Sequence, residues 1–449
     1  MSKDHPIPAL FSDLYQLTMF QAYHAEGMTG PAVFELFARR LPPGRNFLVA
    51  CGFEDVLDYL ENLRFTADEI DYLRSLGRFT PEVLEILREF RFSGTVHAMP
   101  EGTVCFPNEP LLSIEAPLPE AQLIETAVLN LIHYQTLVAS KGARVVAAAA
   151  GADVVDFGAR RTHGRDAALA CARALSIAGY AGTSNLEAGQ RLGIPVVGTV
   201  AHSYIEAHPD EEQAFIRFAE HYPGTTLLVD TYDTLHAVQR IIALSHRLGE
   251  RFKVGGIRLD SGDRATLARQ SRSLLDAAGL TDVRIVASGN LDEYRVAALR
   301  AARAPIDVFG VGTAVSVVAD GPSLEAAYKL VSYNGRDCGK LSPGKVSFPG
   351  PKQVYRISEG NSAIGDVIVR RDEAAPGEPL LHCVMRKGCR LPSASPGLSA
   401  SRAHLAAGLD RLPARLQSLS DAAQPYPVAV SQALLAAQSR FQQLHSEDT

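Results

Sequence analysis

Residues 252–263 read FKVGGIRLDSGD. A short apolar run gives way abruptly to an arginine, two aspartates and a Ser-Gly turn. A strand whose apolar residues are not confined to alternate positions is buried on both faces, as strands are in a parallel sheet covered by helices. The same pattern recurs in ADVVDFG (152–158), GYAGTSN (179–185), IPVVGTVAH (194–202), TTLLVDTYD (225–233), VRIVASGN (283–290) and IDVFGVGT (306–313). Between these runs lie stretches such as RDAALACARALSIAG (165–179) and DTLHAVQRIIALSHRLG (233–249), with apolar residues at helical spacing and a closing Gly. Seven strand candidates alternating with helices fit a barrel better than a two-layer open sheet. Their polar residues gather at the carboxyl ends of the strands, where such folds place active sites.

The flanks are built differently. Residues 1–130 mix alternating stretches (AVFELFARR, GTVHAMPEG, PLLSIEAP) with helical ones (ADEIDYLRSLG, PEVLEILREF), an α+β pattern. Residues 131–325 carry the βα rhythm. From 326 to 449, AYKLVSY, KQVYRIS and AIGDVIVRRDE predict antiparallel strands that pack back on the N-terminal domain, followed by two terminal helical patterns. The expected fold is α/β: a seven-stranded barrel, whose closure periodicity alone does not prove, flanked by an α+β domain formed from both ends of the chain.

Composition narrows the function. A net charge of −6 on 449 residues gives no reason to expect nucleic acid, so any anion site must be local, made of a few placed Arg and Lys. No apolar stretch reaches the roughly 18 residues of a membrane span. MSKDHPIPAL lacks the basic-then-apolar order of a secretory signal. Six cysteines with no CxxC pair suggest reduced thiols and a cytoplasmic protein. Cys338, Cys383 and Cys389 lie in one region and could in principle hold a metal, although their loose spacing and lack of a clear fourth ligand weigh against it.

The strand ends carry the chemistry. GIRLDSGD offers Arg258, Asp260 and Asp263 around a turn, a set suited to a polyhydroxylated, charged ligand or to a surface ion pair. ASGN and GVGT supply Ser288, Gly289, Gly312 and Thr313, where backbone N–H groups can approach an anion. DFGARRTHGRD places Arg160 and Arg161 after a strand, to be neutralised by an anionic substrate or by Asp156 or Asp166. His202 closes GTVAHSY, either as a satisfied core histidine or as a residue facing a pocket.

Together these segments resemble the nicotinate phosphoribosyltransferases. The similarity runs in order through FSDLYQLTMFQAYH, FELFARRLP, FGARRTHGRDAA, GTSNLEAGQRLGIPVVGTVAHS, LVDTYDT, IRLDSGD, SGNLDEY, FGVGT, YKLV and KLSPGK. It covers nearly the whole chain, with little signal in the last sixty or so residues. The resemblance implies an enzyme that joins nicotinate to phosphoribosyl pyrophosphate, giving nicotinate mononucleotide and pyrophosphate in NAD salvage. It implies ATP as co-substrate, Mg²⁺ as cofactor, an incomplete α/β barrel, and a homodimer with composite sites. It implies that ATP phosphorylates His202, that Phe157 and Tyr15 sandwich the pyridine, Tyr15 from the partner subunit, and that Arg160 lies near the pyridine and the ribose phosphate. Asp260 is expected to hold the ribose hydroxyls beside Arg258. Arg161, Asp230, Ser288, Gly289, Gly312 and Thr313 are expected around the phosphoribosyl group, with Arg39, Lys340 and Lys345 near pyrophosphate and ATP phosphates.

Ser184 stands where the related nicotinamide enzymes carry an aspartate. A carboxylate there would repel nicotinate, whereas a hydroxyl can donate to it. A nicotinamide enzyme is therefore disfavoured. Quinolinate enzymes are shorter and need no phosphorylated histidine, and a non-catalytic homologue would show damage at His202, Arg258 or Asp260.

Overall fold

The computed structural model describes residues 7–342 and 347–446. It divides into two units, one formed by residues 1–140 with 320–449 and the other by residues 141–319. Among the described residues no helix is long and apolar enough to cross a membrane.

The second unit is an α/β half-barrel. Its sheet has six strands in the order Gly182–Thr183, Asp153–Asp156, Val308–Val311, Arg284–Ala287, Val254–Leu259 and Thr225–Leu228. Every neighbouring pair is parallel. The expected seventh strand differs from the sequence reading: run 194–202 makes one parallel bridge, Val196 to Thr183. Pro195 has no N–H to give a ladder, and beyond the bridge the chain turns its groups toward other partners. Val155, Val286 and Val308 form a buried apolar cluster against which Phe157, Ala181 and Val197 pack.

The turns after the strands end in helix caps. Asp233, Asp263 and Asp292 each accept from a backbone N–H three residues on, opening helices Thr234–Leu248, Arg264–Ala277 and Glu293–Ala301. The last of these helices is anchored at its first residue. Buried Glu293 accepts from Lys141 Nζ at 2.8 Å and from Arg144 Nε at 3.3 Å, both buried on the long helix Glu125–Ala149.

The first unit contains a seven-stranded sheet in the order Arg336–Asp337, Ala326–Tyr333, Pro31–Ala38, Pro110–Pro117, Thr95–Ala98, His382–Arg386, Cys389–Arg390. Its interior strand Pro31–Ala38 is buried along nearly its whole length, and Glu35 on it meets buried Lys352 at 2.7 Å. A second sheet orders Glu378–Pro379, Lys352–Glu359, Ser362–Arg370 and Val428–Val430.

Replacing Glu293 with Ala would take from Lys141 and Arg144 the buried carboxylate they share. Removing one partner of such a cluster costs about 3–5 kcal/mol. Glu293→Ala should therefore lower the thermal unfolding midpoint clearly, whereas the exposed Glu85→Ala, which loses a pair only with Arg88, should leave it nearly unchanged.

Candidate active site

At the carboxyl ends of the half-barrel strands lies a cleft of about 760 Å³. Arg258 is the most committed residue on its wall. Its Nη1 donates to Asp260 Oδ1 at 2.8 Å and to Ser288 Oγ at 3.2 Å, and its Nη2 donates to the Val200 carbonyl at 3.0 Å. Ser288 Oγ in turn donates to Asp260 Oδ1 at 2.5 Å. Burial pushes the Arg258 guanidinium pKa down, Asp260 and Asp230 pull it back up, and Arg160 adds to the depression. An arginine still keeps its charge in this setting. Asp260 Oδ2 has no protein partner among the described residues, and the side chain lines the cleft, leaving an acceptor for a ligand hydroxyl.

Asp230 supports this arrangement from behind. Its Oδ2 accepts from the Asp260 N–H at 3.2 Å and from Ser261 Oγ at 2.5 Å, while Oδ1 is buried without a partner among the described residues. The sequence reading set Asp263 beside Arg258 as the second carboxylate. Asp263 instead caps the following helix by accepting from Thr266 N–H, which holds its pKa below the usual carboxylate range. Asp230, expected around the phosphoribosyl group, stands behind Asp260 and is not among the residues that line the cleft.

The opposite wall grows from strand Asp153–Asp156. Buried Asp156 accepts from Gly158 N–H and from Thr183 Oγ1, both at 2.7 Å. Burial raises its pKa against the pull of those two bonds. The carboxylate thereby fixes the turn that carries Phe157 to the strand that carries Ser184, whose N–H donates to the Asp156 carbonyl at 2.9 Å. Phe157 is half-buried with its ring against Gly310, where a Cβ would come within 2.6 Å of the ring. Arg160 and Arg161 sit exposed on the single turn Ala159–Arg161, and neither forms an ion pair among the described residues. Asp156 is taken, and Asp166 lies beside Arg165. The two arginines therefore face the cleft with their charge uncompensated.

Ten of the expected residues line this one cleft: Phe157, Arg160, Arg161, Ser184, Arg258, Asp260, Ser288, Gly289, Gly312 and Thr313. Residues 198–201 line it as well, and His202 follows them as the first residue of helix His202–Glu206. Its Nδ1 contacts Thr231 Oγ1 at 3.1 Å. Tyr15, Arg39 and Lys340 belong to the first unit. Tyr15 is exposed on helix Leu14–Ala25, Arg39 lies over the Phe37 ring at 6.0 Å, and the Lys340 N–H donates to Ser347 Oγ at 3.1 Å. Lys345 lies outside the described residues. The sequence reading did not single out the Val200 carbonyl, Asn290 or Arg264, all of which belong to cleft-lining residues. Only Arg264 left a trace in the sequence, a cation at the first position of a helix.

A parallel half-barrel with a carboxylate–arginine pair, glycine turns and free arginines at its strand ends defines an enzyme that handles anionic, hydroxyl-bearing substrates. Comparison with known proteins narrows the class. The profile of the nicotinate phosphoribosyltransferase (NAPRTase) N-terminal domain matches residues 10–133, and that of the NAPRTase family matches residues 152–337. The chain is 52% identical over 435 residues to nicotinate phosphoribosyltransferase pncB2 of Mycobacterium tuberculosis, covering 97% of this chain and 94% of that protein. It is 44% identical to the nicotinate phosphoribosyltransferase of Bacillus subtilis, over 81% of this chain and 76% of that one. The crystal structure of human nicotinic acid phosphoribosyltransferase superposes with a TM-score of 0.86 at 30% identity, covering 96% of this chain and 99% of the human one. This chain belongs to the nicotinate phosphoribosyltransferase family.

Gly289 supplies a direct test of the cleft's geometry. Its φ is +81°, and a Cβ there would lie 2.0 Å from the Asp260 carbonyl oxygen. Gly289→Ala should cost about 1–3 kcal/mol of stability through backbone strain alone. It should also part the Ser288 and Asp260 loops, read as a lower thermal midpoint together with weakened binding of phosphorylated ligands.

Proposed function

We propose that this chain joins nicotinate to 5-phosphoribosyl pyrophosphate, releasing pyrophosphate and nicotinate mononucleotide. The observation that carries the reading is the pairing, in one cleft, of a braced carboxylate at Asp260 with unneutralised Arg160 and Arg161 beside Phe157 and Ser184. In the reaction the pyridine nitrogen forms a bond to the anomeric carbon, and the bond to the pyrophosphate oxygen breaks with its electron pair leaving on pyrophosphate. The pyridine nitrogen is already nucleophilic, so the protein's part is orientation and charge stabilisation. Asp260 Oδ2 accepts from a ribose hydroxyl, Phe157 offers a ring face to the pyridine, and Arg160 and Arg161 meet the carboxylate and phosphate charge. Ser184 donates to the nicotinate carboxylate.

The reading extends to ATP. His202 accepts the γ-phosphoryl group on Nε2, with ADP leaving, and water later releases phosphate. The Thr231 contact at Nδ1, which leaves Nε2 as the unengaged nitrogen, supports this. A magnesium ion carried on pyrophosphate fits the donors present, because such ions take one or two carboxylates plus substrate phosphates. Asp260 and Asp230, the latter with its orphaned Oδ1, are the carboxylates that would hold it; when bound it neutralises charge on the leaving group. The enzyme works in the cytoplasm as a homodimer in which Tyr15 completes the partner's site. Exposed Phe11, Leu14 and Tyr15 on one short segment support that assembly, and six free cysteines support that compartment.

The assay is purified protein with phosphoribosyl pyrophosphate, Mg²⁺ and either nicotinate or nicotinamide, with and without ATP, and products resolved by chromatography. Nicotinate should exceed nicotinamide in kcat/KM by about 100-fold or more, given the repulsion and lost hydrogen bonds at stake. Comparable values for the two substrates would sink the acid-specific reading, and Ser184→Asp should erode the preference. For His202, acid-labile ³²P incorporation from γ-labelled ATP should vanish in His202→Ala.

A further inference from the structure

Arg264 occupies a position that electrostatics disfavour. It is the first residue of helix Arg264–Ala277, whose opening turn contains no acidic residue, so its charge sits at the positive end of the helix dipole. Its hydrogen bonds show what holds it there. Nε donates to the Ser288 carbonyl at 2.7 Å, and Nη2 donates to the Asp260 carbonyl at 2.5 Å and the Gly289 carbonyl at 2.8 Å. Arg295 donates to the next carbonyl, that of Asn290. Two arginines thus draw the carbonyls of three consecutive residues, 288 to 290, to one side of the chain.

A trans peptide is planar, so each carbonyl drawn one way sends the following N–H the opposite way. The N–H groups in question belong to Gly289, Asn290 and Leu291, with that of Ser261 following the Asp260 carbonyl. None of the four has a partner among the described residues, and all four residues line the cleft. Gly289 and Asn290 both have positive φ, +81° and +50°, so the stretch is a turn rather than a strand, and successive N–H groups of turns can line an anion-binding concavity. Arg264 Nη1 also lacks a partner among the described residues, and Arg264 itself lines the cleft.

We propose that Arg264 is the positioning residue for the substrate phosphate. It clamps the carbonyls of Asp260, Ser288 and Gly289 so that the N–H groups beyond them form a preorganised phosphate cradle, and it adds its own charge to that cradle. Arg295 extends the clamp by one residue. This rests on the phosphoribosyl-transfer reading above and assigns to this chain a cation outside the residues expected from the sequence. The planar fork is essential, because a lysine can supply charge but cannot reach three carbonyls in one plane.

The test is calorimetric binding of phosphoribosyl pyrophosphate to the whole protein, followed by steady-state kinetics, for wild type, Arg264→Met, Arg264→Lys and Arg295→Met. Arg264→Met should weaken phosphoribosyl pyrophosphate binding and raise its KM by about tenfold or more, with the nicotinate KM within about twofold of wild type. Arg264→Lys should recover less than half of that loss on a logarithmic scale, and Arg295→Met should show a smaller shift of the same kind. A purely structural role would move both KM values or neither. Equal phosphoribosyl pyrophosphate affinity in wild type and Arg264→Met overturns the proposal and leaves the functional reading intact. A wild-type protein that neither binds phosphoribosyl pyrophosphate nor turns it over overturns both. If Arg264→Met does not fold, Arg264→Lys and Arg295→Met decide: wild-type phosphoribosyl pyrophosphate affinity in both overturns the clamp.

Discussion

A guanidinium withdrawn from water at the end of a strand is the constraint on which the cleft depends. Arg258 is largely buried and keeps its charge, so every donor it turns inward needs an acceptor. Its two terminal nitrogens find them on three separate segments: Asp260 on its own turn, Ser288 after the neighbouring strand, and the Val200 carbonyl from the run that makes a single bridge to the sheet, while its buried Nε has no partner among the described residues. Because Ser288 also donates to Asp260, the three groups form a closed triangle. Removing one member leaves the other two short of a partner, and in a buried setting that deficit costs more than the bond itself contributes. The triangle therefore ties two turns together, the one after Val254–Leu259 and the one after Arg284–Ala287, and the Arg258 bond to the Val200 carbonyl adds a third segment. The unshared oxygen of Asp260 inherits that fixed position.

The rest of the cleft is electrostatically lopsided in a way the whole chain is not. The net charge is −6, yet the turn after Asp153–Asp156 presents two arginines with no ion pair among the described residues. Their nearest acid in sequence, Asp156, is held by a hydroxyl and an amide instead. Engaging Asp156 internally serves two ends. It locks the Phe157 and Ser184 segments together, and it keeps a carboxylate away from the arginines. Arg165, a few residues later, does have acidic partners, on the exposed side of its helix. On the cleft wall the same division holds between Arg258, which is paired with Asp260, and Arg160 and Arg161, which form no ion pair among the described residues.

Much of this was legible in the sequence because it is local. IRLDSGD, SGN and GVGT each end a strand, and a parallel sheet brings strand ends to one rim without further information. The parts that were not legible depend on partners far apart in the chain. Arg258 and Val200 are separated by 58 positions, and Lys141 and Glu293 by 152. No spacing rule reaches across such distances. Asp263 misled for the opposite reason, since a residue in a turn three positions before a free helical N–H is a cap before it is a ligand. The two ends of the chain read correctly as strands, but Pro31–Ala38 pairs with Ala326–Tyr333, and periodicity does not name a partner. Arg264 looked like any charged residue at the start of a surface helix.

The expected seventh strand shows how a departure from regularity serves the site. Counted from its single bridge at Val196, run 194–202 lies at one end of the sheet and Thr225–Leu228 at the other. Had the two paired, the backbone groups of residues 198–201 would have been consumed in a ladder. Instead the Val200 carbonyl is available to Arg258, and residues 198–201 line the cleft. Across the unpaired ends runs a side-chain contact, His202 Nδ1 to Thr231 Oγ1. One hydrogen bond orients an imidazole without burying it, whereas a ladder would have fixed the backbone and decided the side chain's face by its register. Pro195 and Val197 do pair with Thr183, through the Pro195 carbonyl and the Val197 N–H, so the run is held to the sheet at its start and released toward the cleft only beyond that point.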